Sequence, residues 1–142
     1  MGSLADLIIA SANDVQAIAA SDYPLGAFKG INIDGLDPLL LSELHSVLTG
    51  QESGTLLHKY QPIAEASPTG PWLIRFPEDM IASLANIPPQ YFAATARKWA
   101  AVDRPGHESL SSDEAEKFIA RLNHFARTAA FEGLEMFLWI YN

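Results

Sequence analysis

Two apolar runs at the far ends of the chain, residues 4–10 and 134–141, constrain its fold more than any other feature. In the first, Leu7, Ile8 and Ile9 are contiguous; in the second, Met136, Phe137, Leu138, Trp139 and Ile140 are. A strand with one wet face alternates apolar and polar residues, whereas a strand covered on both faces reads as an unbroken apolar run. Both segments are of the second kind. They are therefore expected inside one sheet, as neighbours, which would tie the two chain ends together.

Between them the pattern changes period. Ser11, Asn13 and Asp14 are good N-cap residues, and Val15, Ile18 and Ala19 follow at helical spacing, giving a short helix that stops near Ser21-Asp22. Residues 28–34 alternate around Ile31 and Ile33 and read as an edge strand or a loop. Asp37 caps a clearer helix with Pro38 at its first position, a stripe of Leu40, Leu44, Val47 and Leu48, and Gly50 at its end. Residues 55–60 allow one or two further helical turns. Residues 63–66 and 72–76 read as two strands flanking a Ser-Pro-Thr-Gly-Pro loop. Pro77 opens a helix bearing Met80, Ile81 and Leu84, and Pro88-Pro89 starts another with Phe92, Ala96 and Trp99 on one face. Residues 103–112 read as a mobile loop. Ser112 is expected to cap the last helix, which carries Phe118, Ile119, Leu122, Phe125, Ala126 and Ala129 and ends at Gly133. Trp72, Trp99 and Trp139 all fall on apolar faces and are expected in the core. No repeat or linker divides the chain, so residues 1–142 read as a single α+β domain. A small sheet containing the N-terminal and C-terminal strands is packed by about five helices.

Three segments in this order resemble the YfbM-like family of uncharacterised bacterial proteins, a domain of unknown function. They are Leu44-His45-Ser46-Val47-Leu48-Thr49-Gly50, the strand-to-helix passage over residues 72–92, and the terminal helix with Ala129-Ala130, Gly133 and Phe137-Leu138-Trp139-Ile140. Residues 103–110 depart from that pattern. The resemblance implies an α+β fold and a cytoplasmic bacterial protein. It supplies neither an activity nor catalytic residues.

Composition narrows the chemistry. The chain carries 9 Lys+Arg against 17 Asp+Glu, a formal net charge of -8, with 49% hydrophobic and 18% charged residues. So apolar a chain is not disordered, and so acidic a one lacks the basic face that phosphates require, which argues against nucleic acid. The absence of cysteine excludes disulfides, thiol catalysis and thiolate-held zinc. No run has the length of a secretory leader or a membrane span, so no membrane association and a cytoplasmic setting are expected. There is no His-Glu-x-x-His, no calcium loop, no phosphate-binding glycine loop and no Gly-x-Ser-x-Gly elbow, so no cofactor and no metal is expected. Glu43, His45 and His58 are the one place where a His/carboxylate site could be imagined, which keeps a small enzyme as the alternative reading. His107-Glu108 and the His124/Arg127 pair read as loop and helix-surface residues.

The distribution of charge is the stronger signal. Residues 1–71 hold two bases, Lys29 and Lys59, against Asp6, Asp14, Asp22, Asp34, Asp37, Glu43, Glu52 and Glu65. Asp14 and Asp37 sit where an acid favours a helix start. Asp22, Asp34, Asp37, Glu43 and Glu52, with Tyr23 and Tyr60 adding aromatic area, form the expected partner-binding set. They point to a non-enzymatic acidic protein-binding module for a basic protein partner, with an immunity or inhibitor protein against a basic bacterial toxin as its most concrete form. The low charge fraction also suits a homodimer.

Overall fold

The computed structural model describes residues 4–141. Its frame is a five-stranded antiparallel sheet in the order β2-β1-β5-β4-β3. The strands are β1 (Leu4–Ala10), β2 (Lys29–Asn32), β3 (Pro62–Glu65), β4 (Trp72–Arg75) and β5 (Glu135–Tyr141). The two terminal runs pair with each other at the centre, from Leu4 opposite Tyr141 to Ala10 opposite Glu135. That is why neither alternates: each has a covered residue on both sides of the sheet over most of its length. The 28–34 segment resolves as edge strand β2, and the other edge, β3, begins at Pro62 and carries a register shift. Proline and irregularity of this kind discourage pairing with a further strand.

One face of the sheet is roofed by helices over most of its area. Leu7, Ile9, Ile74, Met136, Leu138 and Ile140 point into a core closed by α2 (Pro38–Thr49), α4 (Glu78–Ala85), α5 (Phe92–Ala100) and α6 (Ser112–Glu132). Leu41, Leu44, Leu84, Trp99, Ile119, Leu122 and Ala126 are inaccessible there. The Trp99 indole N–H donates to the Leu40 carbonyl at 3.0 Å, joining α5 to α2. Asn123 of α6 donates to the Leu84 and Ile87 carbonyls, closing the end of α4. Two helices end on a left-handed glycine, Gly50 after α2 and Gly133 after α6, where the sequence places them. The cap of α6 is Ser111 and not Ser112: its side chain accepts from the Glu114 N–H at 3.1 Å and its hydroxyl donates to the Glu114 carboxylate.

The second face is roofed only in part. Ile8, Ala10, Leu73 and Phe137 pack with Ile18 of α1 (Val15–Ala20) and with the half-buried Leu25 and Phe28. The expectation of three core tryptophans therefore needs correction. Trp99 is buried, while Trp72 and Trp139 are half-buried, Trp139 because the second layer is too small to reach its end of β5. A short helix α3 (Ser53–Leu56) and a 3-10 turn over Leu57–Tyr60 complete the chain between α2 and β3.

Gly30 lies where β2 meets β1 most closely: a Cβ there would run into the backbone carbonyl of Leu7. Relief requires the ladder itself to move. Gly30→Ala is expected to lower stability by about 1–3 kcal/mol, measured by denaturant unfolding; an unchanged midpoint contradicts this packing of the edge strand.

Candidate functional site

Helix α2 buries two ionisable side chains, Glu43 and His45, and each is bound to a different part of the fold. Glu43 Oε1 accepts from Arg104 Nε at 2.6 Å, with both side chains buried. The same guanidinium donates from its terminal nitrogens to the Trp99 carbonyl at 2.7 Å and the Val102 carbonyl at 3.3 Å. Arg104 thus closes the end of α5, satisfies the acid of α2 and anchors the first part of the 103–112 loop. Two charges taken out of water need this kind of mutual satisfaction.

His45 faces the other way. Its Nδ1 lies 2.9 Å from the Tyr60 hydroxyl and its Nε2 lies 2.8 Å from Asp79 Oδ2. Burial, with the nearby Asp79 carboxylate second, pushes the Tyr60 phenol far above its ordinary value, so it keeps its proton. A phenol donating to Nδ1 and an Nε2–H donating to the carboxylate satisfies all three groups. Burial pushes the Asp79 carboxyl up, but the hydrogen bond from His45 outweighs it, with help from Lys59 and Gln51, and its pKa is lowered. The hydrogen-bonded chain runs from inaccessible Tyr60 through inaccessible His45 to Asp79 at the surface. It staples α2 to the Leu57–Tyr60 turn and to the first turn of α4.

These contacts correct two members of the expected partner-binding set. Glu43 and Tyr60 cannot touch a partner, because each is buried and held by a side chain of its own fold. The His/carboxylate alternative is also taken apart. Glu43 is bound to Arg104, His45 to Tyr60 and Asp79, and His58 is exposed. Among the described residues no group of three or more His, Asp or Glu side chains is arranged to hold a metal ion.

The other expected acids reach the surface. Asp22, Asp34 and Glu52 are exposed, Asp37 is half-buried and accepts from the Leu40 N–H at 2.9 Å as the cap of α2, and Tyr23 is 66% exposed. Among the described residues none of these four acids forms an ion pair.

A grouping not foreseen from the sequence sits on the partly roofed face. Asp6 of β1 lies between Asn32 of β2 and Trp139 of β5 across the sheet, and Leu4 lies opposite Tyr141. The Asn32 amide donates to Asp6 at 3.2 Å and to Asp34 at 3.0 Å, while Asp34 also accepts from the Ala5 N–H at 2.8 Å. Burial raises the Asp6 pKa, the Asn32 hydrogen bond lowers it, and repulsion from Asp34 raises it again, for a net increase. Trp139 and Tyr141 stack with centroids 6.2 Å apart, and Leu4 and Tyr141 are 53% and 45% exposed. The available signal was Asp6 itself, an acid inside an otherwise apolar strand. Elsewhere, a cleft of about 290 Å³ opens between α2, the 103–112 loop and α6, lined by Asp37, Leu40, Arg104, His107, Glu114 and Phe118. Its one buried cation, Arg104, is already neutralised by Glu43.

No protein-family model matches the chain, and no curated protein matches it. Among solved structures it is similar to the crystal structure of YfbM from Escherichia coli, a protein of unknown function. The identity is 12%, the match covers 96% of this chain and 99% of that one, and the TM-score is 0.47. This is the family whose motifs the sequence resembles. A likeness at that level carries nothing about the site.

Replacing Glu43 by Ala leaves a buried guanidinium without its acid and is expected to cost about 3–5 kcal/mol, whereas Glu43→Met combined with Arg104→Met recovers part of the loss, short of the whole because the Trp99 and Val102 carbonyls lose their donor. Denaturant unfolding of the three proteins checks this; equal destabilisation by single and double variants contradicts it. For Asp79, the lowered folded-state pKa means that its contribution is present above the ordinary carboxylate range and lost as pH falls through the folded value. The stability gap between the wild type and Asp79→Asn is therefore expected to close below about pH 4, read from melting curves across pH; a gap that widens on acidification contradicts the assignment.

Proposed function

We propose that this protein is a non-enzymatic binding module that takes a basic protein partner on an acidic surface. The observation that carries the reading is the state of the exposed acids. Asp22, Asp34 and Glu52 are exposed and, among the described residues, have no cation of their own, while three of the chain's bases, Lys29, Arg75 and Arg104, are spent on Glu132, Glu135 and Glu43. The negative charge left over is not cancelled within the fold, so its field extends outward. Such a field raises the rate at which a positively charged partner arrives and orients it on approach.

The buried ionisable groups support the same reading from another side. Glu43 and His45 have the chemistry an enzyme would use, but both are buried and committed to holding helices together. An inhibitor that covers the basic surface of a bacterial toxin is the most specific form of this function. Capture would be electrostatic and inhibition steric, and neither asks for a catalytic group.

The test is affinity capture on the immobilised chain at low salt, with the bound proteins identified. Basic proteins are expected, released at about 0.5 M salt where the screening length falls to a few ångströms. They are expected to be largely absent from an Asp22→Asn, Asp34→Asn, Glu52→Gln variant. A bound set indifferent to charge, salt and these substitutions would sink the reading.

A further inference from the structure

We infer that the end of the sheet where β1, β2 and β5 bring Asp34, Asn32, Asp6, Trp139, Tyr141 and Leu4 together, open at Asp34, Leu4 and Tyr141, is the docking surface for an arginine side chain of that basic partner. The inference rests on the binding-module reading and adds to it a place and a chemistry.

The charges at this end of the sheet are complementary to a cation. Asp6 and Asp34 share one amide, that of Asn32, at 3.2 and 3.0 Å. An amide offers partial positive charge only, and the two carboxylates still repel each other. The bases that belong to the same sheet do not help: Lys29 is bound to Glu132 at 3.0 Å, and Arg75 to Glu135 at 3.2 Å while lying over the Phe137 ring. Among the described residues neither Asp6 nor Asp34 has a cation partner. A cation arriving beside exposed Asp34 would relieve both acids, the buried one through space.

The shape of this face favours a planar cation. On this face α1 and the Leu25/Phe28 segment cover Ile8, Ala10, Leu73 and Phe137, but Leu4 and Tyr141 remain about half exposed. Tyr141, 45% exposed, stacks on half-buried Trp139 with the planes 13° apart, which puts two parallel aromatic rings one strand away from Asp6. A guanidinium is planar, weakly hydrated and forked. It can lie on such rings while donating to a carboxylate, and an ammonium cannot do both as well. That distinction selects arginine over lysine.

The experiment is calorimetric titration of the full chain with acetylated, amidated nona-arginine and nona-lysine at low salt. Nona-arginine is expected to bind more tightly than nona-lysine. Asp34→Asn, which keeps an oxygen for the Ala5 N–H, and Tyr141→Ser are each expected to weaken it about fivefold or more. Tyr141→Phe, which keeps the stack, and Glu116→Gln, which removes one exposed charge from α6, are expected to change it less than about twofold. Equal weakening by Asp34→Asn and Glu116→Gln overturns the location and leaves the acidic module standing. Equal affinity for the two peptides overturns the arginine assignment. A dimer that Tyr141→Ser dissolves, seen by light scattering, overturns it in favour of a second copy of the chain. No binding of either peptide by the wild type removes the module reading together with this one. Should Tyr141→Ser fail to fold, the Asp34→Asn against Glu116→Gln comparison and the two wild-type titrations still decide.

Discussion

The antiparallel pairing of β1 with β5 is the contact on which the rest of the architecture depends. It joins seven residue pairs drawn from opposite ends of the chain and puts them at the middle of the sheet. Because side chains alternate across a strand, that pairing also fixes which residues face which layer. Leu7, Ile9, Leu138 and Ile140 go to the helical core, while Asp6, Ile8, Phe137 and Trp139 go to the smaller layer. A slip of one residue would put Asp6 beneath α6 and turn Leu7 outward, so the hydrophobic core holds the register.

The unequal covering of the two faces follows from the order of elements. Four helices after β2 have room to pack on one side. The other receives what lies between β1 and β2, namely one helix of six residues, a turn and Phe28. So short a segment roofs only part of a five-stranded sheet. The end it leaves open is where the first and last described residues lie, which places exposed Asp34 and Tyr141 beside buried Asp6 and half-buried Trp139.

Much of this was legible in the sequence. The continuous apolar runs told of central strands and the cap-and-glycine pairs told where α2 and α6 stop, because those signals are local. What was not legible depended on contacts between distant residues. Glu43 reads as a surface acid until Arg104, far along the chain, is brought to it; the hydroxyl of Tyr60 reads as an interface group until His45 meets it. Trp139 reads as core because its neighbours are core, and only the shortness of the second layer leaves it half open. Asp6 carried a signal of its own, yet its importance comes from Asn32 and Asp34, which reach it only through the β1–β2 register.

The central claim is that uncancelled negative charge meets partners at one end of one face. Backbone chemical-shift mapping of the isotope-labelled chain during titration with nona-arginine addresses it most directly. The account predicts that the shifted amides concentrate at residues 4–6, 32–34 and 139–141, with α4 and the outer face of α6 unmoved. Shifts spread evenly over the acidic surface, or gathered at the cleft beside Arg104, would contradict it.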